Sequence, residues 1–196
     1  NPLAPIRTSL EIMKRTDDTE THQEVREIIE RQTNHIVRLV DDLLDVSRIT
    51  RGKINLHTER LELREVVNLA VEGSRPLIEE KQHDFTVSLP LETVWLEGDK
   101  VRLSQVFSNL LTNAAKYTEA NGKISLTAEL QDSEVLVGVT DNGLGIPSER
   151  LPGLFDLFTR LERDTAVEGL GIGLNLVQRL AEMHGGSIEA MSAGLG

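Results

Sequence analysis

An apolar stripe with helical spacing runs through the first quarter of the chain, and it limits the possible folds more than any other feature. Across Val25–Val46 apolar residues recur every three or four positions, interrupted only by Gln32. This spacing predicts one long amphipathic helix over roughly Glu20–Ile49. A shorter stripe covers 3–13, and the polar stretch 16–19 between the two supplies a turn and a helix N-cap. The two segments therefore predict a helical hairpin.

A hairpin of two helices cannot bury so wide an apolar face by itself. The usual solution is to pair with a second copy, which gives a four-helix bundle. We therefore expect a homodimer that forms through the helical hairpin. The alternative is that the apolar face packs against the rest of the same chain.

The pattern changes at Arg51–Lys53, and the remainder of the chain predicts a mixed α/β domain. Pro76 is expected to kink or split the first helix of this domain. The element order predicts an α+β fold with helices on one side of a sheet, divided into domains 1–51 and 52–196. The candidate strands are part of Ile54–Leu63, then Phe85–Leu89, Thr93–Leu96, Lys123–Leu130, Val135–Thr140 and Ser187–Met191. The candidate helices are Leu63–Glu80, Lys100–Tyr117, a short one near Glu149–Phe158, and Gly173–His184.

Composition excludes several classes of function. The chain has 21 Lys and Arg against 32 Asp and Glu, a net charge of -11, which disfavours nucleic acid and anionic lipid as partners. It has no cysteine, so disulfides, thiolate nucleophiles and cysteine-ligated zinc are excluded. No apolar run approaches the roughly 20 residues that a membrane-spanning helix needs. We expect a soluble, cytoplasmic segment, and the membrane attachment of the full-length protein is left open.

Three polar residues near the end of a candidate helix share one face. Asn109, Asn113 and Lys116 are separated by four and three positions. A carboxamide oxygen is a hard, neutral ligand that suits magnesium, and a lysine can neutralise a phosphate. The ring of Tyr117 can lie against an adenine. The alternative is a helix whose Asn residues cap loops and whose Lys is solvated.

A candidate strand with alternating valines leads directly into Asp141. A buried carboxylate at that strand end can accept a hydrogen bond from the amine of adenine, whereas guanine would leave it unpaired at a cost of about 1–3 kcal/mol. Gly143 and Gly145 allow the backbone to approach a ligand closely. The alternative is an ordinary hairpin turn.

A third segment has glycine at Gly169, Gly171 and Gly173, and it opens a helix. Free amides at a helix N-terminus suit a polyphosphate. The spacing is neither a dinucleotide-binding fingerprint nor a P-loop, and the alternative is a flexible linker.

Between the second and third segments, 154–158 could form an aromatic hinge before a lid, with Arg160 or Arg163 reaching the terminal phosphate. The alternative is an amphipathic helix followed by a surface loop. Together the segments indicate ATP with magnesium.

In this order the segments resemble the boxes of the sensor histidine kinases, within the class of ATPases that includes gyrase, the heat-shock chaperone and MutL. Asn109–Thr118 resembles the Asn box, Asp141–Gly145 the first glycine box, Leu154–Phe158 the phenylalanine box, and Gly169–Leu174 the second glycine box. His184–Ile188 resembles the entry to the last strands. The resemblance implies an α/β two-layer sandwich of the Bergerat ATP-binding type after the hairpin.

The resemblance also implies roles for individual residues. Asn113 would be the principal magnesium ligand, with Asn109 beside it. Lys116 and Arg160 would touch phosphate. The other implied ATP-binding residues, which hold the adenine or line the cradle, are Tyr117, Asp141, Gly143, Gly145, Ile146, Gly169, Leu170, Gly171 and Gly173.

The hairpin resembles the family's dimerisation and histidine-phosphotransfer domain. It differs from that domain at its start. The family's acceptor lies in the motif His-Glu-x-x-Asn-Pro, of which this sequence holds Asn1 and Pro2. We expect the acceptor histidine and its neighbouring acid to precede Asn1, a truncation of this piece, and we expect His22 and His35 to be structural. Asn1 resembles the residue that helps a phosphatase reaction on the partner regulator. A final strand is expected to be missing after Gly196, so that one sheet edge stays unpaired.

The resemblance implies an ATP-dependent protein histidine kinase. The γ-phosphate of ATP would pass to a histidine of the hairpin and then to an aspartate on the receiver domain of a response regulator. A serine-kinase relative would lack the hairpin, and a clamp ATPase would need a following transducer domain. The alternative from another class is a nucleotide-binding dimerisation or scaffold module without kinase activity.

Overall fold

The computed structural model describes residues 3–16, 18–50, 55–159 and 170–194, with no account of the side chains at 35, 38, 49 and 50. The chain divides into two units, Asn1–Gly52 and Lys53–Gly196. The domain limits 1–51 and 52–196, and the roles given to the two domains, stay predictions.

The first unit is a helical hairpin, as the apolar stripes predict. Helix α1 spans Leu3–Met13 and helix α2 spans Thr19–Thr50. Asp18 begins α2: its Oδ2 accepts hydrogen bonds from Thr21 N at 2.9 Å and from Thr21 Oγ1 at 2.6 Å. These bonds, led by that of the Thr21 hydroxyl, lower the pKa of the Asp18 carboxyl. The ring of His22 closes the turn, with Nε2 2.7 Å from Thr16 O, which gives this histidine a structural contact.

The second unit places three helices against a small sheet. Strand β4 lies between β2, which is parallel to it, and β5, which is antiparallel to it, and β1 pairs separately with β3. A short 3-10 helix, Ser148–Gly153, follows β5. The elements in chain order are β1 (Glu59–Glu62), α3 (Leu63–Glu80), β2 (Asp84–Ser88), β3 (Trp95–Gly98), α4 (Lys100–Tyr117), β4 (Lys123–Gln131), β5 (Glu134–Asp141) and α5 (Gly173–Met183).

Helix α4 is the centre of this unit, because it packs against α3, α5, β4 and β5. Its Leu111 is fully buried, together with Leu126 of β4 and Leu176 of α5. Residues buried on β4 alternate with exposed ones, so one face of the sheet lies against the helices and the other faces outward. This two-layer arrangement confirms the predicted helical hairpin followed by an α/β sandwich.

Two local expectations differ from the structure. Of the kink or split expected at Pro76, the split is wrong, since α3 continues from Leu63 to Glu80. The ring removes the hydrogen bond to the carbonyl of Glu72, but that residue is exposed, so water can take the bond while the apolar face of α3 stays packed. Ser187–Met191 forms no strand among the described residues. Alternating apolar residues are not sufficient there, because a strand also needs a hydrogen-bonded neighbour.

The short helix expected near Glu149–Phe158 is instead the 3-10 helix, and the strand expected at Thr93–Leu96 begins and ends two residues later. No helix in the described ranges is both long and apolar enough to cross a membrane.

Candidate functional site

Helix α4 is anchored at its start by Asp99. Its Oδ1 accepts hydrogen bonds from Val101 N and Arg102 N, each at 3.1 Å, and its Oδ2 accepts one from His57 N at 3.0 Å. Burial raises the pKa of this carboxyl, but the three amide hydrogen bonds outweigh it and hold the pKa below its ordinary value. The amide of Asp99 donates to His184 Nε2 at 3.1 Å. One residue therefore ties the start of α4 to the segment before β1 and to the end of α5.

Of the polar residues predicted to share one face of α4, Asn109 lies beside the start of α5. Asn109, Asn113 and Lys116 are all half-buried. A Cβ atom added at Gly173, the first residue of α5, would lie 3.9 Å from Asn109 Cγ. The Asn-rich segment and the third glycine segment, 64 positions apart from Asn109 to Gly173, are thus brought together.

The amide of Asn109 carries an unsatisfied group at this point. Its Nδ2 is buried and has no hydrogen-bond partner among the described residues. A buried polar atom without a partner is costly, so a bound ligand that offers a hydrogen-bond acceptor here would be favoured. No cluster of three histidines or carboxylates that could hold a metal occurs within the described residues. A divalent metal at this site would therefore rely on the carboxamides and on oxygen atoms of a ligand, which is the ligand set magnesium accepts.

The C-terminal end of α4 meets the loop after β5. Leu144 N donates to Tyr117 O at 3.1 Å, and Gly143 N donates to Asp141 Oδ1 at 2.9 Å. A Cβ atom at Gly143 would collide with the carbonyl of Tyr117 and would lie 2.8 Å from Asp141 Oδ1. Only glycine fits there. Gly145 has a φ of +66°, a conformation that glycine adopts without strain.

Asp141 is at the strand end that the sequence predicts, but its side chain is exposed, whereas burial was expected. It is the last residue of β5, where the ladder to Ile124 ends, so no further strand residues cover it. Its Oδ1 is held by Gly143 N and, more distantly, by the hydroxyl of Thr118 at 3.5 Å. Among the described residues Oδ2 has no hydrogen-bond partner.

The loop after β5 is also held from the end of the chain. Ile146 N donates to Ser192 Oγ at 2.9 Å. Ser192 lies in the segment expected to form a strand, so this segment contacts the loop through a side chain. The sequence pattern carried no signal for that contact.

The phenylalanine segment lies beside the third glycine segment. Phe158 N donates to Gly171 O at 2.9 Å, and a Cβ atom at Gly171 would collide with Thr159 O. Gly171 has a φ of +67°. Asn175 Nδ2 donates to Phe155 O at 2.8 Å, and Asn175 is buried. Sequence reasoning missed Asn175, although a polar residue on the apolar face of α5 was a usable signal.

Several predicted site residues cannot be placed in this way. Asn1, Arg160 and Gly169 lie outside the described residues, as does Arg163. Leu170 is described and is exposed. The site that the structure assembles thus consists of the end of α4, the loop after β5, and the start of α5.

Two family descriptions match the chain. Residues 98–195 match the family "Histidine kinase-, DNA gyrase B-, and HSP90-like ATPase". Residues 1–52 match the family "His Kinase A (phospho-acceptor) domain". The first match covers the elements that form the site, and the second covers the helical hairpin.

Individual relatives match over nearly the whole chain. The chain is 38% identical over 197 residues to the adaptive-response sensory kinase SasA of Thermosynechococcus vestitus, covering 96% of this chain and 52% of that protein. It is similar to full-length ShkA solved with AMPPNP, with a TM-score of 0.71 at 27% identity, covering 100% of this chain and 44% of the other. Histidine kinase ThkA, solved in complex with response regulator protein TrrA, gives a TM-score of 0.64 at 28% identity, covering 95% and 52%. The chain spans about half or less of the length of its curated relatives.

Proposed function

The chain belongs to the sensor histidine kinases, and from this membership we propose that 53–196 binds ATP with magnesium and acts as a protein histidine kinase. The γ-phosphate would pass to the histidine of the family's His-Glu-x-x-Asn-Pro motif, of which this sequence holds Asn1 and Pro2, and then to an aspartate on the receiver domain of a response regulator. The observation that carries this proposal is that the loop after β5 and the start of α5 both lie against the second half of α4, at Tyr117 and at Asn109. ThkA in its complex with a response regulator supports the choice of partner.

The metal and phosphate end of the site would lie between α4 and the start of α5. We propose Asn113 as the magnesium ligand, with Asn109 beside it. The Nδ2 of Asn109, a hydrogen-bond donor without a partner among the described residues, suits a phosphate oxygen next to the metal. Lys116 would contact phosphate. Magnesium would neutralise phosphate charge and orient the phosphate oxygens. Because the chain has a net charge of -11, this local positive charge is needed for a polyanion to bind.

The start of α5 would complete the phosphate end. Backbone amides after Gly171 and Gly173 point along the helix axis at its positive end, which favours an anion. Leu170, Gly169 and Arg160 are proposed to line the same end, and the latter two lie outside the described residues.

The adenine end of the site would lie at the loop after β5. Asp141 Oδ2 can accept a hydrogen bond from the exocyclic amine of adenine, while Oδ1 is already held by Gly143 N. Tyr117 and Ile146 would contact the base, and the close packing at Gly143 together with the φ of Gly145 keeps the loop against the end of α4. Guanine presents a carbonyl oxygen in place of the amine, so we expect ATP to bind more tightly than GTP by about tenfold or more.

The helical hairpin would dimerise. Seven large apolar side chains among the described residues of the hairpin are exposed, which favours burial against a second copy in a four-helix bundle. We propose that this segment lies in the cytoplasm and that Asn1 assists a phosphatase reaction on the regulator. The exposed apolar residues of the hairpin are Leu3, Leu10, Ile12, Val37, Val40, Leu43 and Leu44.

Calorimetry with ATP and magnesium tests the nucleotide site. We expect the chain to bind, and we expect Asn113→Ala and Asp141→Asn each to weaken binding by about tenfold or more. Asn68→Ala, an exposed asparagine of α3, and Asp132→Asn, in the turn at the other end of the β4–β5 ladder, are matched controls that should bind normally. Absence of binding by the unsubstituted chain would refute the proposal.

Phosphotransfer separates a kinase from a nucleotide-binding scaffold. A separately supplied hairpin that contains the complete His-Glu-x-x-Asn-Pro motif is incubated with the chain, ATP and magnesium, and phosphohistidine is measured by mass spectrometry. A kinase labels the histidine, and a hairpin with that histidine changed to glutamine stays unlabelled. Nucleotide binding without transfer would favour the dimerisation or scaffold module.

A further inference from the structure

Lys81, the residue that follows α3, donates all three of its ammonium hydrogens to the C-terminal end of α4. Its Nζ lies 2.8 Å from Ala115 O, 2.7 Å from Lys116 O and 3.0 Å from Thr118 O. Lys81 is half-buried. An ammonium group has three donors and no acceptor, so these three carbonyls use its full capacity.

The carbonyls at a helix end have no partner within the helix, and here each of the last four is accounted for. Ala114 O accepts from Thr118 N at 3.0 Å, and Tyr117 O accepts from Leu144 N at 3.1 Å. Ala115 O also accepts from the His83 ring at 3.1 Å. Lys116 O accepts from the ammonium of Lys81 at 2.7 Å. A positive charge at this end also interacts favourably with the negative pole of the helix dipole.

The same turn of α4 carries the side chains assigned to the nucleotide. Lys116 and Tyr117 belong to it, and Asn113 lies one turn earlier. The carbonyl of Lys116, which Lys81 holds, sits on the backbone from which the Lys116 side chain projects. A shift of this turn would therefore move the phosphate contact and the base contact, and would change their distance from the metal ligand in the preceding turn.

We propose that Lys81 is a positioning residue of the nucleotide site, fixing the last turn of α4 so that Asn113, Lys116 and Tyr117 are held in binding geometry. Because its donors are all engaged, it contacts no phosphate itself. This inference rests on the proposed function, and it assigns a role to a residue that lies outside every glycine-rich or Asn-rich segment.

The test compares three variants of the whole chain. Lys81→Met keeps the length of the side chain and removes its donors, and Lys81→Gln retains two neutral donors. Lys100→Met is the matched control, because it removes the same charge from the opposite end of the same helix, where Lys100 pairs with Glu65 on the surface at 2.7 Å. Affinity for AMPPNP with magnesium is measured by calorimetry well below the unfolding temperature. Hydrogen exchange is measured along α4.

We expect Lys81→Met to weaken nucleotide binding by about 10- to 100-fold, the range found when a group that orients a metal ligand is removed. Lys81→Gln should recover part of the affinity, and Lys100→Met should stay within about twofold of the unsubstituted chain. Amide exchange should accelerate over 114–118 and remain unchanged at the start of α4. These measurements are made on folded protein, so a loss of stability alone does not produce them.

Unchanged affinity in both Lys81 variants, with binding intact in the unsubstituted chain, would overturn the inference and leave Lys81 a purely structural cap. A different result marks failure of the proposed function: the unsubstituted chain itself would not bind AMPPNP. Whether the unsubstituted chain binds AMPPNP therefore distinguishes the two failures.

Discussion

Replacing Asp99 with alanine should destabilise the second unit, because its carboxylate both caps the start of α4 and accepts the hydrogen bond from His57 N. Loss of the N-cap on α4 costs about 1 kcal/mol and at most about 2 kcal/mol. Loss of the bond from His57 N adds about 0.5–1.5 kcal/mol, since His57 is exposed and water can replace the acceptor. Asp99 itself is only 7% exposed. We expect the two losses together to lower the free energy of unfolding by about 2–3 kcal/mol. For a unit of this size, that lowers the midpoint of thermal unfolding by about 6–10 °C.

The chain contains its own probe for this measurement. Trp95 is its only tryptophan, and it lies on β3, four residues before Asp99. Urea unfolding followed by tryptophan fluorescence therefore reports on the second unit. Asp99→Asn keeps a capping oxygen and should lose less stability than Asp99→Ala. Asp84→Ala, at an exposed carboxylate that begins β2, is the control and should change the free energy of unfolding by less than about 0.5 kcal/mol.

The effect of Asp99 should also depend on pH in a defined direction. The folded state holds the pKa of its carboxyl below the ordinary value of 3.8. The stabilisation is therefore fully present above about pH 4, where the unfolded carboxyl is ionised, and is lost as the pH falls through the folded pKa. The stability gap between the unsubstituted chain and Asp99→Asn should narrow below about pH 4. Equal stabilities at pH 7 for the chain and Asp99→Ala, or a gap to Asp99→Asn that does not narrow in acid, would refute the reasoning.

Three further predictions follow from other contacts. Gly143→Ala forces a methyl group against the end of α4, so it should cost about 1–3 kcal/mol in urea unfolding and weaken nucleotide binding measured by calorimetry. Asn175→Ala removes the bond to the Phe155 carbonyl and should cost about 1–2 kcal/mol in the same unfolding assay. Val40→Asp places a charge on the exposed apolar face of α2 and should shift the mass measured by sedimentation from dimer to monomer. Val101→Asp, at a valine 70% exposed in the second unit, should leave that mass unchanged.

Helices were the part of the fold that the sequence predicted best. The expected bounds of α3 and α4, Leu63–Glu80 and Lys100–Tyr117, agree with the structure. Both helices have a broad apolar face with a period near 3.6, and each ends where that periodic pattern stops. Periodicity reports directly on a single helix, because each residue's position on it depends only on local spacing.

Strands and polar contacts were predicted less well, because they depend on residues far away in the sequence. Ser187–Met191 alternates like a strand and has no ladder partner among the described residues. Asp141 has the expected position at the end of β5 but is exposed, because burial depends on what packs over a strand end. No sequence pattern indicated the contacts of Lys81, because its three hydrogen bonds reach residues 34 to 37 positions away.

Helix α4 explains why segments so far apart in the sequence can form one site. Its first residues are fixed by Asp99, which also holds His57, and its last turn is fixed by the ammonium of Lys81. A buried apolar face between these two ends, with Leu111 at its centre, keeps the helix against the sheet and α5. The helix is therefore a fixed reference for two glycine-containing segments: Gly143 packs closely against the carbonyl of Tyr117 at its end, and Gly173 lies beside Asn109 on its polar face. Because a ligand bound there would contact a helix held at both ends, substitutions at either anchor should affect binding without touching the ligand.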